Sequence, residues 1–301
     1  MCLLPHREDC KKLYYLCRMK LKSQILFIVA AFCLLGFTSC EETLPENQEG
    51  KFASYKQKID DVLFFMVAVP GGTFQMGATP EQEKEALQDE YPLHDVTLDR
   101  FYISETEVTQ EFYQKVMGVN PSIHKGGNLP VENVSYEDAL AFCAKLTSLS
   151  RREYSLPTEA QWEFAARSRN SKLGFIYAGA NNLNYQGWYV ENSDSTSHIV
   201  GYKSPNSLGM LDMSGNVSEW CADWYGSYAD LKNDSTVTDA SITALVNPTG
   251  PATGTHRVVR GGSYLDAATD CRISRRFAYL PTDTLSTVGF RIVAKSSPEE
   301  K

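Results

Sequence analysis

The sequence predicts an α+β fold of low regular secondary structure, with a few helices set around short antiparallel strands. Three observations carry that prediction. Apolar, β-prone runs stand near both ends of the domain, at Val62–Val69 and at residues 288–294. Three capped helix patterns follow one another between residues 109 and 167. From Arg167 onward a long stretch rich in Gly, Asn, Tyr and Ser shows no sustained periodicity. That much irregular backbone in a compact domain marks a functional or ligand-stapled loop set. Metal or dense side-chain-to-backbone bonding must there replace sheet ladders.

The chain begins with an address rather than with the fold. Lys20 and Lys22 precede an apolar run over residues 25–37 that closes on Phe37-Thr-Ser-Cys40. The run is too short to cross a bilayer as a helix. Its layout is that of a secretory signal, with Met19 reading as the start. The last four residues resemble a lipobox, whose cysteine becomes the lipidated first residue. Residues 1–39 therefore read as leader and Cys40 as the expected lipid anchor of an exported lipoprotein, in the outer membrane and facing periplasm or surface. An ordinary signal peptide cut nearby fits the same residues. Residues 41–50 are acidic and polar, a composition that cannot bury enough apolar surface to offset its ordering cost. A tether is expected over 40–60, the domain over 61–295 and a solvated tail over 296–301.

Charge narrows the partners. Residues 1–39 carry six Lys or Arg and two Asp or Glu; without them, the 29 basic and 37 acidic residues fall to a net charge of about −12. A nucleic-acid partner is not expected, because phosphate binding runs on Lys and Arg.

Within the domain, Val62–Val69 ends at Pro70-Gly-Gly, and residues 73–77 read as the returning strand. Residues 81–90 are charge-rich and expected to be exposed, and residues 96–103 alternate enough for one half-buried strand. Thr109 reads as the N-cap of a first helix that Gly118 stops. Ser135 with Asp138 caps a second, whose apolar stripe is Ala139, Phe142, Cys143, Leu146 and Leu149. Thr158 with Gln161 caps a third. Its Trp162, Ala165 and Ala166 form a buried side, and Glu159, Glu163 and Arg167 a polar side suited to structural ion pairs. Residues 229–254 read as an insertion loop.

The chemistry concentrates in Asn206-Ser-Leu-Gly-Met-Leu-Asp212-Met-Ser-Gly215-Asn216-Val217-Ser218-Glu219-Trp220. Asp212 and Glu219, with main-chain carbonyls between them, offer hard oxygen ligands on a sharply turned backbone, as Ca²⁺ requires. The same residues also suit a turn whose Asp and Asn bond their own backbone and whose Trp plugs the core.

Three further stretches occur in order with it: Glu105-Thr-Glu107-Val108-Thr109, Leu156-Pro-Thr-Glu159-Ala-Gln-Trp162-Glu163-Phe-Ala-Ala-Arg167, and Arg260-Gly-Gly-Ser263-Tyr264 followed by Gly289-Phe-Arg291. Together the four resemble the signatures of the formylglycine-generating enzyme, or sulfatase-modifying factor, family over residues 62 to 295. The resemblance implies a variant of the C-type-lectin-like fold stapled by calcium. One calcium site falls on Asp212, the carbonyls of Gly215 and Val217, and Glu219; Asp212 replaces the family's Asn, another oxygen donor. A second is implied in the loops near residues 182–191.

The family's oxidases follow the Gly-Gly-Ser-Tyr turn with C-x-x-x-x-C, whose two thiolates hold copper. Here Asp266 stands at the first position and Cys271 at the second. Carboxylate is a poor ligand for Cu(I), so copper is not expected. Ser218 also replaces a frequent family Trp. Ser263 and Cys271 are the catalytic candidates that the resemblance leaves, and Ser263 suits a plain turn role as well. The five His residues show no metal-ligand spacing, and no phosphate loop, G-x-S-x-G turn or dinucleotide fingerprint occurs. Cys143, Cys221 and Cys271 allow at most one disulfide, in three possible pairings.

Two functions fit. One is a lipid-anchored, calcium-stabilised, non-oxidising family member that binds protein or glycan in the cell envelope or serves there as a structural part. The other is an oxidase that converts a sulfatase cysteine to formylglycine during export, against which Asp266 stands.

Overall fold

The computed structural model describes residues 52–150, 152–231 and 244–296. The leader, the expected anchor Cys40 and most of the tether lie outside the described residues. The tether ends earlier than its composition suggests, because Tyr55–Ile59 forms strand β1. It pairs antiparallel with β2 (Val62–Val69) across a turn in which Asp60 takes φ 53°. Lys56 and Lys58 point outward while Ile59 is buried, so an edge strand with one wet face looked like linker.

The returning strand is β3 (Gly72–Met76), which pairs with β4 (His94–Leu98). The single strand expected over 96–103 is two: β4 and β5 (Phe101–Ser104) belong to different sheets. Between them the Asp99 N–H is taken by Asn247 Oδ1 at 2.9 Å, which ends the first ladder. All four residues of β5 are buried, so alternation could not separate it from β4. The charge-rich residues 81–90 form two 3₁₀ turns, and Gln82 and Glu90 of that run are buried rather than exposed.

The helices keep their expected caps. α1 (Gln110–Met117) starts where Thr109 Oγ1 accepts the Phe112 N–H and stops at Gly118, φ 85°. α2 (Tyr136–Ser150) starts on reciprocal bonds between Ser135 and Asp138. Ala139, Phe142, Cys143 and Leu146 are buried, whereas Leu149 is 52% exposed and leaves the stripe at the last turn. After β6 (Tyr154–Ser155) comes α3 (Glu159–Ala166), with the Thr158–Gln161 capping box. α3 is buried on every side, so its expected polar face is an internal one. α4 (Leu183–Gln186) is one turn in the irregular middle.

β7 (Ser218–Trp224) follows the central loop, then come α5 (Tyr228–Leu231), β8 (Ala244–Val246) and β9 (Arg257–Arg260). The expected insertion is thus partly structured, with β8 parallel to β4; residues 232–243 lie outside the described residues. β10 (Arg276–Tyr279), β11 (Val288–Gly289) and β12 (Val293–Lys295) complete the order. The closing strand is therefore interrupted. β11 runs parallel to β7 in the sheet β10-β9-β7-β11, and β12 lies between β5 and β6 in the sheet β1-β2-β5-β12-β6. Phe290, Arg291 and Ile292 carry the chain from one sheet to the other and are fully buried. One core cluster joins α1 and α2 to β2 and β12 through Tyr113, Phe142 and Phe290; another gathers Phe74, Val96, Trp162 and Phe164.

Candidate functional site

The four signature stretches meet at the central loop. Asn206 starts it by binding in two directions: its Nδ2 donates to the carbonyls of Ala165 and Ala166, and its Oδ1 accepts from the N–H groups of Leu208 and Met210. The end of α3 and the start of the loop are thereby tied. Asp212, Gly215 and Asn216 then take φ of 57°, 84° and 64°. Only Gly fits at 215, where a Cβ would stand 2.2 Å from the Trp188 carbonyl oxygen. The Gly215 N–H reaches Gly261 O, the Asn216 N–H reaches Trp188 O, and Asn216 O accepts from the Tyr264 N–H. Asn216 Nδ2 donates to Glu107 Oε1 at 2.9 Å.

Beneath this loop three carboxylates face one guanidinium. Glu219 Oε2 accepts from Trp162 Nε1 at 2.7 Å and Arg291 Nε at 2.6 Å, and its Oε1 from Arg291 Nη2 at 2.7 Å. Asp212 Oδ2 accepts the Gly201 N–H, while its other oxygen, Oδ1, has no partner. Glu107 is its electrostatic neighbour, and Glu107 Oε2 is likewise unpaired. All three acids are buried, Asp212 and Glu107 at 2% exposure and Glu219 at 1%. Burial pushes Asp212 up to about 6, and burial with the charges of Asp212 and Glu219 pushes Glu107 well above the carboxylate range. Three acids against Arg291 leave an unbalanced negative charge, which a buried site holds only with protons or a cation.

The sequence-predicted ligands are therefore brought together unequally. Asp212 keeps an oxygen free, whereas the Glu219 carboxylate is committed to Arg291 and Trp162. The acid facing Asp212 is Glu107. Among the described residues no three His, Cys, Asp or Glu side chains form a metal cage by themselves, so a metal here needs main-chain oxygens too. In the loops around residues 182–191 the Asn, Tyr and Glu side chains are taken up by local bonds to backbone and to each other, while the buried Trp188 Nε1 has no partner. Asn182 Oδ1 accepts the Asn184 N–H, the Tyr189 hydroxyl donates to Glu191 Oε2 at 2.9 Å, and Asn192 Oδ1 accepts the Tyr189 N–H.

The catalytic candidates lie in the turn after β9. Gly261 and Gly262 take φ of 98° and 69°. Asp266 Oδ2 accepts the Ser263 hydroxyl at 2.5 Å and the Ser263 N–H at 2.8 Å, closing the turn. Ser263 is 1% exposed and Cys271 fully buried, its Sγ 3.9 Å from Ser263 O and packed with Leu183 and Tyr189. Burial, and the nearby charges of Asp266 and Asp270, push the Cys271 thiol well above its ordinary value. Cys143, Cys221 and Cys271 are all free and buried.

Residues 52–296 match the model of the sulfatase-modifying factor enzyme 1-like domain. The chain belongs to this family. It is 31% identical to the chaperone protein LppX of Paenibacillus barcinonensis over 53% of its own length and 71% of that protein. It is 28% identical to the formylglycine-generating enzyme of Thermomonospora curvata, over 76% of its length and 93% of that enzyme. The solved structure of Treponema denticola variable protein 1 superposes with a TM-score of 0.70 at 29% identity, covering 81% of this chain and all but 1% of the other. The α+β expectation and the sulfatase-modifying factor variant of the lectin-like fold both hold.

Seen as family signatures, the four stretches are one buried polar network. Arg260 of the third pairs with Glu163 of the second, which also holds Arg167 Nε at 2.8 Å. Glu159 takes Arg276 in a two-pronged pair, 2.7 and 2.8 Å. Sequence reading missed Glu107 and Arg276 as members. Glu107 lay inside a quoted stretch, and its separation from Asp212 in sequence hid the contact; Arg276 sat in a plain strand and carried no signal. For copper the residues present do not fit. One thiol, buried and held protonated, stands beside a carboxylate that the turn already uses.

Proposed function

We propose that this chain is a non-oxidising member of its family, exported and lipid-anchored through Cys40, that acts as a calcium-stabilised binding or structural module. The observation that carries the reading is the state of the Ser263–Cys271 turn. Cys271 is buried with a raised pKa, and Asp266 spends its carboxylate on Ser263. A thiolate oxidase needs the reverse, a deprotonated, metal-accessible pair.

Calcium would be held by Asp212 Oδ1 and Glu107 Oε2 with the carbonyls of Gly215 and Val217, Glu219 acting through Arg291 to fix the loop. The ion would supply the charge that the three acids lack. The surface about the turn supports a binding role. The Val190 N–H bonds Asp266 O, the Ser204 N–H bonds Tyr185 O, and the His124 ring meets Tyr264 at 5.5 Å. The first and last of these contacts bring Ile123, Val190 and Leu265 to the turn, and the second joins the segments of Tyr185 and Tyr202; all five are at least 46% exposed. Exposed apolar residues grouped in this way mark interaction surfaces, and a protein or glycan of the envelope is the proposed ligand.

The test is incubation of the purified full chain with Cu(I), oxygen and a sulfatase-type cysteine peptide, read by mass spectrometry for the aldehyde. No conversion is expected beside an active two-cysteine family enzyme. Conversion by the wild type would establish the oxidase reading instead. Calcium is tested separately by thermal unfolding. A rise in Tm is expected for wild type and not for Asp212→Ala with Glu107→Gln, since a ligand of the native state must raise it. A wild type indifferent to calcium sinks the metal assignment.

A further inference from the structure

A groove away from the Ser263–Cys271 turn joins two clefts. The first, about 440 Å³, has Asp61, Glu105, Glu107 and Glu111 in its lining together with Val62 and Leu211. The second, about 520 Å³, shares Asp61, Val62, Glu111 and Asn128 with it and adds Lys115. The β1–β2 turn and the exposed side of α1 thus wall one continuous trough.

Its charge is one-sided. Lys115 is the sole cation among the described lining residues, and it is engaged by Asp61, Nζ to Oδ1 at 2.6 Å, with Asp60 at 3.8 Å. Glu105 is half-buried and has no side-chain hydrogen bond or ion pair among the described residues, Lys56 acting on it only as a nearby charge. Glu107, 2% exposed, reaches the same lining with Oε2 unpaired. A half-buried carboxylate with no hydrogen bond, and a buried one with one oxygen still unpaired, favour the arrival of a cationic group. Beside them Val62 and Leu211 give the trough an apolar wall, and Leu63 on its rim is 60% exposed. Charge and wall together fit an aliphatic stem that ends in a cation.

We propose that this trough binds an extended peptide segment of a partner protein carrying Lys or Arg next to an aliphatic residue, with Glu105 and Glu111 taking the cationic heads. Calcium at Glu107 and Asp212 leaves Glu105 and Glu111 facing the groove, so the inference does not rest on the metal reading.

The test is fluorescence anisotropy of the full chain in detergent with a short labelled peptide alternating Lys and Leu, run in calcium and again in chelator. The Lys-Leu peptide is expected to bind in both buffers and a Glu-Leu peptide in neither. Glu105→Gln with Glu111→Gln should weaken binding by roughly tenfold, about 1.4 kcal/mol shared between two partly desolvated pairs. Leu63→Ser should weaken it with the acids intact. Glu137→Gln with Glu153→Gln, two exposed acids outside the lining, should leave it unchanged. Equal loss in the two acid pairs would mean bulk acidity alone and overturn the inference. So would displacement by spermine at matching concentration, or loss of binding in calcium, which would place the peptide on the metal acids.

Discussion

Arg291 grips Glu219 with two prongs, Nε on Oε2 at 2.6 Å and Nη2 on Oε1 at 2.7 Å, where the chain passes from one sheet to the other. Its Nη1 and Nη2 also reach the carbonyls of Ser104 and Leu211. It is therefore both the counter-charge of the acid cluster and a brace between β5 and the central loop. Arg291→Met is expected to cost about 3–5 kcal/mol, because it leaves buried acids uncompensated. Arg291→Lys should recover only part, since an ammonium cannot reproduce the fork. Urea unfolding midpoints of the two variants check this; equal midpoints would deny the fork its role.

Two glycines separate backbone strain from collision. Gly209 and Gly215 both hold left-handed φ, 87° and 84°, but an added Cβ meets nothing within 4 Å at 209 and the Trp188 carbonyl oxygen at 2.2 Å at 215. Gly209→Ala should lose about 1 kcal/mol, the cost of the conformation. Gly215→Ala should lose several times that, or fail to fold. Thermal unfolding of the pair decides, and similar Tm values would mean that the loop yields around Trp188.

The fold was legible where local chemistry decides it. Thr109, Ser135 and Thr158 each announced a helix through a hydroxyl three residues ahead of an N–H that needed it. It was not legible where tertiary partners decide. Nothing before residue 100 says that Asn247 will end β4 at Asp99, and the charges of Lys56 and Lys58 concealed an edge strand. The candidate site divides in the same way. Asp212 was readable from its turn; that Glu107 faces it, and that Arg291 takes Glu219, depends on contacts more than a hundred residues apart in one case and 72 in the other.

Cys271 is expected to behave as a core residue. Gly262 leaves no space beside it, since a Cβ there would lie 2.8 Å from its Sγ. With Cys143 and Cys221 it should resist a thiol reagent in the native chain and react only on unfolding, as buried, protonated thiols do. Asp266→Ala, which removes two bonds from the Ser263 turn, should lower stability by about 1–3 kcal/mol. Mass mapping of labelled cysteines checks both, and selective labelling of native Cys271 would reopen the catalytic reading.

Asp223 gives the chain a pH response outside the calcium site. Its Oδ2 accepts the Glu159 N–H at 2.8 Å, at the start of α3. Burial, and then the charge of Glu159, push it up to about 7, against the opposing pull of Arg276 and Arg257. A raised carboxyl pKa means that the folded state binds the proton more tightly than the unfolded one. The stability it contributes is therefore whole below about pH 4 and is lost as pH rises through about 7. Asp223→Asn keeps an oxygen for the Glu159 N–H and removes the titration. Its stability should fall less steeply than wild type between these limits, by up to about 1.4 kcal/mol per pH unit, and exceed wild type at pH 8. Urea unfolding across the range measures the slopes. Parallel curves for the two proteins would mean that Asp223 is ionised in the fold at neutral pH, its charge met by Arg276 and Arg257 after all.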